Sequence, residues 1–287
     1  MSCSEITIIV NTLNDTSRNL DEFFVSLVRN KPAEIIVVDG QSNDGTAEIA
    51  KKYTNSVYVT GPGISKQQYY GVKRVKTKYL FLVATDIELP DDTLSKLQIE
   101  FENNDCFAVQ AKLKVKMERN FFEKGKKIFL DFLQEGGKYY EFLNGPSLFI
   151  TKKYLPIIKE MANSKVGQGY AADTLRTNIL KKKGIYKFLR SKFFVFQNEK
   201  LNFKSYAEKI ISYGVGDYFY YNSNKSKWSY VRCLKSLTYV FNKYIIYFPC
   251  RSIFRRDLYI AIPFFWLTAL LRYYGFLKTM LFYKKPK

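Results

Sequence analysis

The sequence predicts an α/β fold, a mostly parallel central sheet carrying helices, followed by a helical C-terminal region of different character. Three observations carry that expectation. Short apolar runs alternate with helix-patterned segments over residues 5–83, the mark of βαβ units. Two of those runs lead into a carboxylate, Asp39 and Asp86, at strand ends where α/β sheets hold their ligands. From residue 223 the chemistry changes, and residues 223–287 hold thirteen Lys/Arg, seventeen aromatics and one acid, Asp257.

Residues 5–10 (EITIIV) form the first predicted strand and end in the polar turn Asn11-Thr12-Leu13-Asn14-Asp15. Leu20, Phe23, Phe24, Leu27 and Val28 recur at helical spacing, and residues 34–39 are a second buried-strand run. Gly40 to Thr46 is turn chemistry, with AEIAKKY helical after it. Residues 56–60 read as a third strand, 64–76 as a helix opened by Gly61-Pro62-Gly63, and 79–83 as a fourth strand. Further on, residues 91–103 read as helix, with Asp91 and Asp92 in the first turn. Residues 106–115, 147–150 and 185–196 read as strands, 119–135 as an amphipathic helix and 170–183 as a helix stopped by Gly184.

Composition narrows the chemistry. The 287 residues contain no histidine, which removes imidazole general bases, Ser-His-Asp triads and His metal sites. Acid–base work falls to carboxylates, Lys or Tyr. The four cysteines, Cys3, Cys106, Cys233 and Cys250, form no CxxC pair and suit reduced thiols in a cytosolic compartment. Met1 to Ser4 lead into the first strand with neither a basic nor an apolar leader, so no signal peptide is expected. A net charge of +20 calls for an acidic partner: nucleic acid, a phosphorylated substrate or an anionic membrane.

The candidate residues lie at the strand ends. Asp39 can accept a hydrogen bond from the imide N–H of a uracil-like base, or simply cap the next helix, a role that Asp44 fits better. Thr12 and Asn14 can frame base and ribose, or form an ordinary βα loop. Asp86 and Glu88, spaced by one residue in an extended segment, project to one side, where two acids suit a hard divalent ion shared with phosphates. The plainer reading is a surface turn. Lys66 and Gln68 open a helix whose N-terminus favours phosphate. Asp173 can act as a general base or as a helix N-cap.

These segments resemble family 2 glycosyltransferases. ITIIVNTLND is similar to the family's opening strand and loop, EIIVVDGQSNDGTAEIAKKY to its Asp-rich second motif, and GPGISKQQYYGVKRVKTKYLFLVATDIELPDD to the stretch that leads to a metal-binding Asp-x-Asp. NGPSLFITKKYL and AADTLRTNILKKKG are similar to the acceptor-side strand and the Glu-Asp segment. The likeness covers about 5–190 and is strongest over 5–92. It implies a GT-A fold (the Rossmann-like nucleotide-diphospho-sugar transferase fold), a nucleoside-diphosphate sugar donor, a Mg or Mn ion, and inversion at the anomeric carbon. By position it assigns Thr12 and Asp39 to the nucleoside, Asp86 to the metal, and Asp173 to the base; Thr85, beside Asp86, is a further candidate for binding the nucleotide-sugar. The chain departs from the pattern at Ala84, which stands where the first Asp of Asp-x-Asp belongs, and at Ala172, Gln68 and Gln197. Glu88 is then a substitute ligand, and Lys66 the better phosphate contact.

The tail completes the expectation. Residues 258–271 are apolar for fourteen residues and then meet Arg272, short of the roughly twenty that a span needs. Rings mixed with cations suit the headgroup boundary of an anionic bilayer, so helices lying in the interface are expected ahead of a spanning hairpin. The predicted organisation is a catalytic region 1–222, with a donor half 1–92 and an acceptor half 93–222, and membrane-associated helices over 223–287. The predicted activity is inverting transfer from a nucleoside-diphosphate sugar to a membrane-associated, lipid-linked acceptor, by a peripheral or monotopic protein at a cytoplasmic membrane face. Ala84 and Ala172 also suit a membrane partner that keeps the fold without the chemistry. Nucleic acid is not the expected partner, because the cations are interleaved with long aliphatic stretches.

Overall fold

The structure, a computed structural model, describes residues 3–164, 172–252, 259 and 261–283. The chain divides into two compact units, residues 1–116 with 134–199, and residues 117–133 with 200–287. The 222/223 boundary expected from sequence falls inside the second of these.

In the first unit an eight-stranded sheet has the order β3-β2-β1-β4-β7-β6-β8-β5. Its strands are β1 (Cys3–Thr12), β2 (Pro32–Asp39), β3 (Val57–Val59), β4 (Tyr79–Val83), β5 (Ile87–Glu88), β6 (Ala108–Val115), β7 (Ser147–Ile150) and β8 (Phe188–Gln197). The helices between them are α1 (Leu20–Arg29), α2 (Thr46–Lys51), α3 (Ile64–Val72), α4 (Thr93–Glu102), α6 (Thr151–Ala162) and α7 (Ala172–Lys182). Side chains along the strands alternate between two cores. Ile6, Ile8 and Val10 of β1 and Tyr79, Phe81 and Val83 of β4 join Phe23 and Phe24 of α1 and Leu94 and Leu97 of α4 on one face. Ile9, Leu80 and Leu82 join Val72, Tyr154, Ile158 and Leu180 of α3, α6 and α7 on the other. Burial on both faces is why these strands read as unbroken apolar runs.

The sheet is mixed rather than mostly parallel. β1 pairs in parallel with β2 and β4, and β2 with β3. β7, however, runs antiparallel to both β4 and β6, and β5 antiparallel to β8. Strand–helix alternation dictates parallel pairing only while each connection is a helical crossover. The helix between β6 and β7, α5 (Phe121–Leu133), belongs to the second unit. The helix expected over 170–183 is described from Ala172 on, and its first two residues lie outside the described ones.

The second unit contains α5, α8 (Phe203–Asn224), a 3-10 turn (Lys225–Lys227), α9 (Tyr230–Phe241), a π-helical segment (Asn242–Tyr247), α10 (Phe248–Ser252) and α11 (Ile262–Phe282). Phe132, Tyr206, Ile210, Val240, Tyr244, Phe248, Phe264 and Phe265 form its core. α8 and α11 cross at two glycines: a Cβ on Gly214 would sit 2.0 Å from the Arg272 carbonyl oxygen, and one on Gly275 would sit 2.1 Å from that of Ile211. Beside this crossing Arg272 donates to both carboxylate oxygens of Asp217, at 2.5 and 2.9 Å. No described helix is long and apolar enough to cross a membrane. The apolar run 258–271 includes two residues, 258 and 260, outside the described ones, as do Asp257 and Lys284, Lys285 and Lys287.

Candidate active site

Three adjacent parallel strands, β2, β1 and β4, end side by side, and their terminal residues build the site. Thr12 pairs in register with Asp39, and its hydroxyl donates to Asp39 Oδ1 at 2.7 Å. The Ser42 hydroxyl donates to the same oxygen at 2.6 Å, and the Ser42 N–H to Oδ2 at 2.7 Å. Asp39 is buried, yet a carboxylate offers about four acceptor positions, so three bonds leave it capacity for one more. The two loops are laced together, with Asn14 N–H donating to Ser42 Oγ at 2.8 Å and Asn43 N–H to Asn14 Oδ1 at 3.0 Å. Asn14 and Gln41 both hold left-handed backbone, at φ 51° and 66°. That conformation is uncommon outside glycine and marks tightly determined turns.

On the other side of β1, Thr85 and Asp86 are both buried just past β4. Arg18 donates to the Thr85 hydroxyl and lies 3.2 Å from Asp15 Oδ1. Gln197, at the end of β8, donates through Nε2 to Asp86 Oδ2 at 2.7 Å, and Asn198 N–H donates to the Asp86 carbonyl at 2.8 Å. Burial pushes the Asp15 carboxyl above its ordinary value, Arg18 pulls it down, and the nearby Asp86 charge adds to the rise. Asp15 and Asp86 are thus two carboxylates close enough to repel at one end of the sheet.

The pairing of Asp86 with Glu88 is not what forms. Glu88 lies in β5 and takes an ion pair from Lys116, which also meets Glu22 at 2.5 Å. Among the described residues no cluster of three or more His, Cys, Asp or Glu could hold a metal by itself. The donor set that does fit a hard cation is Asp86 with Gln197, whose Oε1 is buried without a hydrogen-bond partner. Magnesium commonly binds one or two protein carboxylates and takes its remaining oxygens from water and substrate phosphate.

A second cluster joins α3 to α7. Arg176, nearly buried, lies 3.2 Å from Asp173 Oδ1 through Nη1, and its Nη2 donates to Gln68 Oε1 at 3.5 Å. Its Nε is buried with no hydrogen-bond partner. Asp173 is half-exposed, in the first turn of α7. Crowding by the surrounding protein raises its pKa above the ordinary carboxylate value, and the Arg176 charge opposes that rise. Lys66 is exposed at the start of α3.

Sequence reasoning did not single out Asp15, Arg18, Ser42, Gln67 or Arg176. Gln67 is buried and donates to the carbonyls of Thr12 at 3.0 Å and Val38 at 2.9 Å, pinning the ends of β1 and β2 to α3. For Asp15, Ser42 and Gln67 the available signal was position, since each falls within a few residues of a strand end or in a helix opened by glycine.

The sequence matches the family described as Glycosyl transferase family 2 over residues 7–163, more than half of its length. No curated protein matches the sequence. Among solved structures, S. aureus TarS 1–349 in complex with UDP-GlcNAc is 15% identical, with 92% of this chain and 81% of that chain covered and a TM-score of 0.48. Glucosyl-3-phosphoglycerate synthase from Mycobacterium tuberculosis, in complex with Mg2+ and UDP, is 12% identical, with 70% of this chain and 74% of that chain covered and a TM-score of 0.47.

Proposed function

We propose, from the premise that this chain belongs to glycosyl transferase family 2 and has its GT-A fold, that it is an inverting glycosyltransferase acting on a nucleoside-diphosphate sugar and a membrane-associated, lipid-linked acceptor. The observation that carries the reading is the pair of buried carboxylates Asp39, at the end of β2, and Asp86, just past the end of β4, the two strands that flank β1. Their separation divides the donor between them. Asp39, held by Thr12 and Ser42, accepts the N–H of the base, with Asn14 beside the ribose. Thr85, Arg18, Lys66 and the N-terminus of α3 surround the diphosphate with donors and positive charge. Asp86, with Gln197, would hold a Mg or Mn ion. When bound, that ion neutralises charge on the departing diphosphate.

Asp173 receives the proton of the acceptor hydroxyl as that oxygen attacks the anomeric carbon from the face opposite the leaving diphosphate. A base with a raised pKa holds that proton better than an ordinary carboxylate. Arg176 orients it, and Gln68 connects this pair to the helix nearest the donor phosphates. In this reading residues 1–222 carry catalysis, and the basic aromatic helices of 223–287 hold the chain at the cytoplasmic face of a membrane.

Thermal shift across a panel of nucleoside-diphosphate sugars with Mn2+, followed by transfer assays on the donors that bind, tests the reading. A ligand at a hundred times its Kd stabilises the folded state by about 2.7 kcal/mol, so one donor should raise the melting temperature by several degrees. Asp86→Ala should abolish both the Mn2+ effect and turnover. No binding and no turnover with any donor would sink the reading. A second reading is favoured by Ala84 and by the ion pair that occupies Glu88: the fold binds donor but does not transfer. It predicts that Asp173→Asn leaves cellular function unchanged.

A further inference from the structure

We infer that the exposed faces of α9 and α11 form one docking surface for an anionic phospholipid bilayer, on which the protein lies without crossing it. The inference rests on the membrane-acceptor reading for its purpose, and on the following geometry for its content.

α11 is apolar on both sides, and only one side is covered. Phe264, Phe265, Thr268, Ala269 and Gly275 face the core and are buried. Trp266, Leu270, Tyr274, Leu277 and Leu281 recur every three or four residues on the opposite side, with Leu270 67% and Leu281 70% exposed. α9 repeats the arrangement: Val240 is buried, while Tyr230, Leu234, Leu237 and Phe241 form an exposed stripe. A helix that is hydrophobic all round belongs inside a protein or against lipid.

The two helices are joined. The Tyr273 hydroxyl, on α11, donates to the Leu237 carbonyl at 2.9 Å and accepts from the Phe241 N–H at 3.1 Å. Both bonds are to the α9 backbone, so the two helices are held together at that point.

Charge identifies the occupant. Lys225 and Lys227 precede α9, Arg232 and Lys235 are exposed on α9 outside its stripe, and Lys278 follows Tyr274 on α11. Residues 223–287 hold thirteen Lys/Arg against a single acid. A second copy of this chain would bring another +20 to the contact and be repelled. An anionic headgroup layer matches both properties, since rings and aliphatics enter the acyl boundary while each cation adds on the order of 1 kcal/mol. Arg272, ion-paired to Asp217 midway along α11, and Lys278 a turn and a half later leave no apolar span, so the helix lies in the plane.

The test uses the full chain and vesicles of phosphatidylcholine with or without phosphatidylglycerol. In a Trp228→Phe variant Trp266 is the sole tryptophan, and its emission should shift to the blue with the anionic vesicles alone. The unsubstituted chain should float with the same vesicles. Leu270→Glu with Leu277→Glu, at exposed positions, should keep the melting temperature and lose vesicle affinity by about tenfold or more. The inference is overturned if the unsubstituted chain ignores anionic vesicles, or if the double variant binds them equally well. It is also overturned if sedimentation shows a dimer that the double variant dissolves, which would make this face a contact between copies. Donor binding is measured separately by thermal shift without lipid. Flotation without donor binding removes the transferase reading and leaves this one, and donor binding without flotation does the reverse.

Discussion

Gln197 shows how a departure from the family pattern becomes interpretable at the scale of one side chain. In sequence it is only one of the departures from the family pattern, with nothing to say what it meets. In the structure it donates to Asp86 and keeps a buried, unpartnered carbonyl oxygen beside it. If that oxygen completes a cation site with Asp86, Gln197→His should preserve or strengthen Mn2+ affinity, because a neutral imidazole is a good transition-metal ligand. Gln197→Leu should weaken it about 10- to 100-fold, the usual cost of losing a metal-site partner. Mn2+ titration of donor binding by calorimetry distinguishes the two, and equal affinity in both variants would remove Gln197 from the site. At this scale the strand-end acids were legible, because each closely follows an apolar run, at the sheet edge where α/β folds hold ligands. Arg18 and Arg176 were not, because what distinguishes them is contact with Thr85 and with Asp173 and Gln68. Spacing in the chain carries no such information.

At the scale of elements, β1 to β4 and α1 to α4 followed from periodicity, because burial on both sheet faces writes itself as uninterrupted apolar runs. β5 is two residues long and is defined by pairing with β8, so no local pattern announces it. α6 and α8 went unpredicted: α6 contains Pro156, and α8 mixes polar and aromatic residues around its circumference. The amphipathic α5 was expected, but its anchoring was not. Asn120 caps its N-terminus by accepting from the Phe122 and Glu123 N–H groups, while Glu123 accepts from the N–H of Arg119 and of Leu201 and from the Arg119 guanidinium. Burial alone would raise the pKa of Glu123, but the Arg119 side chain and those two N–H donors more than offset it and hold it below the ordinary carboxylate value. A depressed folded pKa means that the ionised form stabilises the fold above the unfolded value and that the benefit fades as pH falls through the folded one. Glu123→Gln should therefore cost about 2 kcal/mol near neutral pH, and the gap to the parent chain should narrow as pH drops below 4.5. Urea denaturation across that range measures it. A gap that stays constant with pH would mean that packing, and not charge, sets the loss.

At the scale of the molecule, the excess of twenty positive charges is the largest feature with no counterpart in the fold itself. Uncompensated charge of one sign destabilises a compact state through self-repulsion, while keeping it soluble and drawing it to anionic surfaces. Some of the attractive pairs that oppose this are partly sheltered, among them Arg272 with Asp217, at 18% and 33% side-chain exposure, and Lys116 between Glu22 and Glu88. Sheltered pairs are screened less than the exposed cations that repel each other. Raising salt from about 0.01 M to about 0.1 M shortens the Debye length from about 30 Å to about 10 Å, so it should remove more repulsion than attraction. The melting temperature of the protein free in solution should then rise over that range, and scanning calorimetry in a simple salt such as sodium chloride reads it. The same change should weaken adhesion to anionic vesicles, because there the long-range charge term is attractive. Opposite responses of folding and of vesicle binding to one variable are what an excess of surface cations requires. A melting temperature that falls with salt would instead assign the balance to the ion pairs, and the positive charge would then be no reserve held for a membrane.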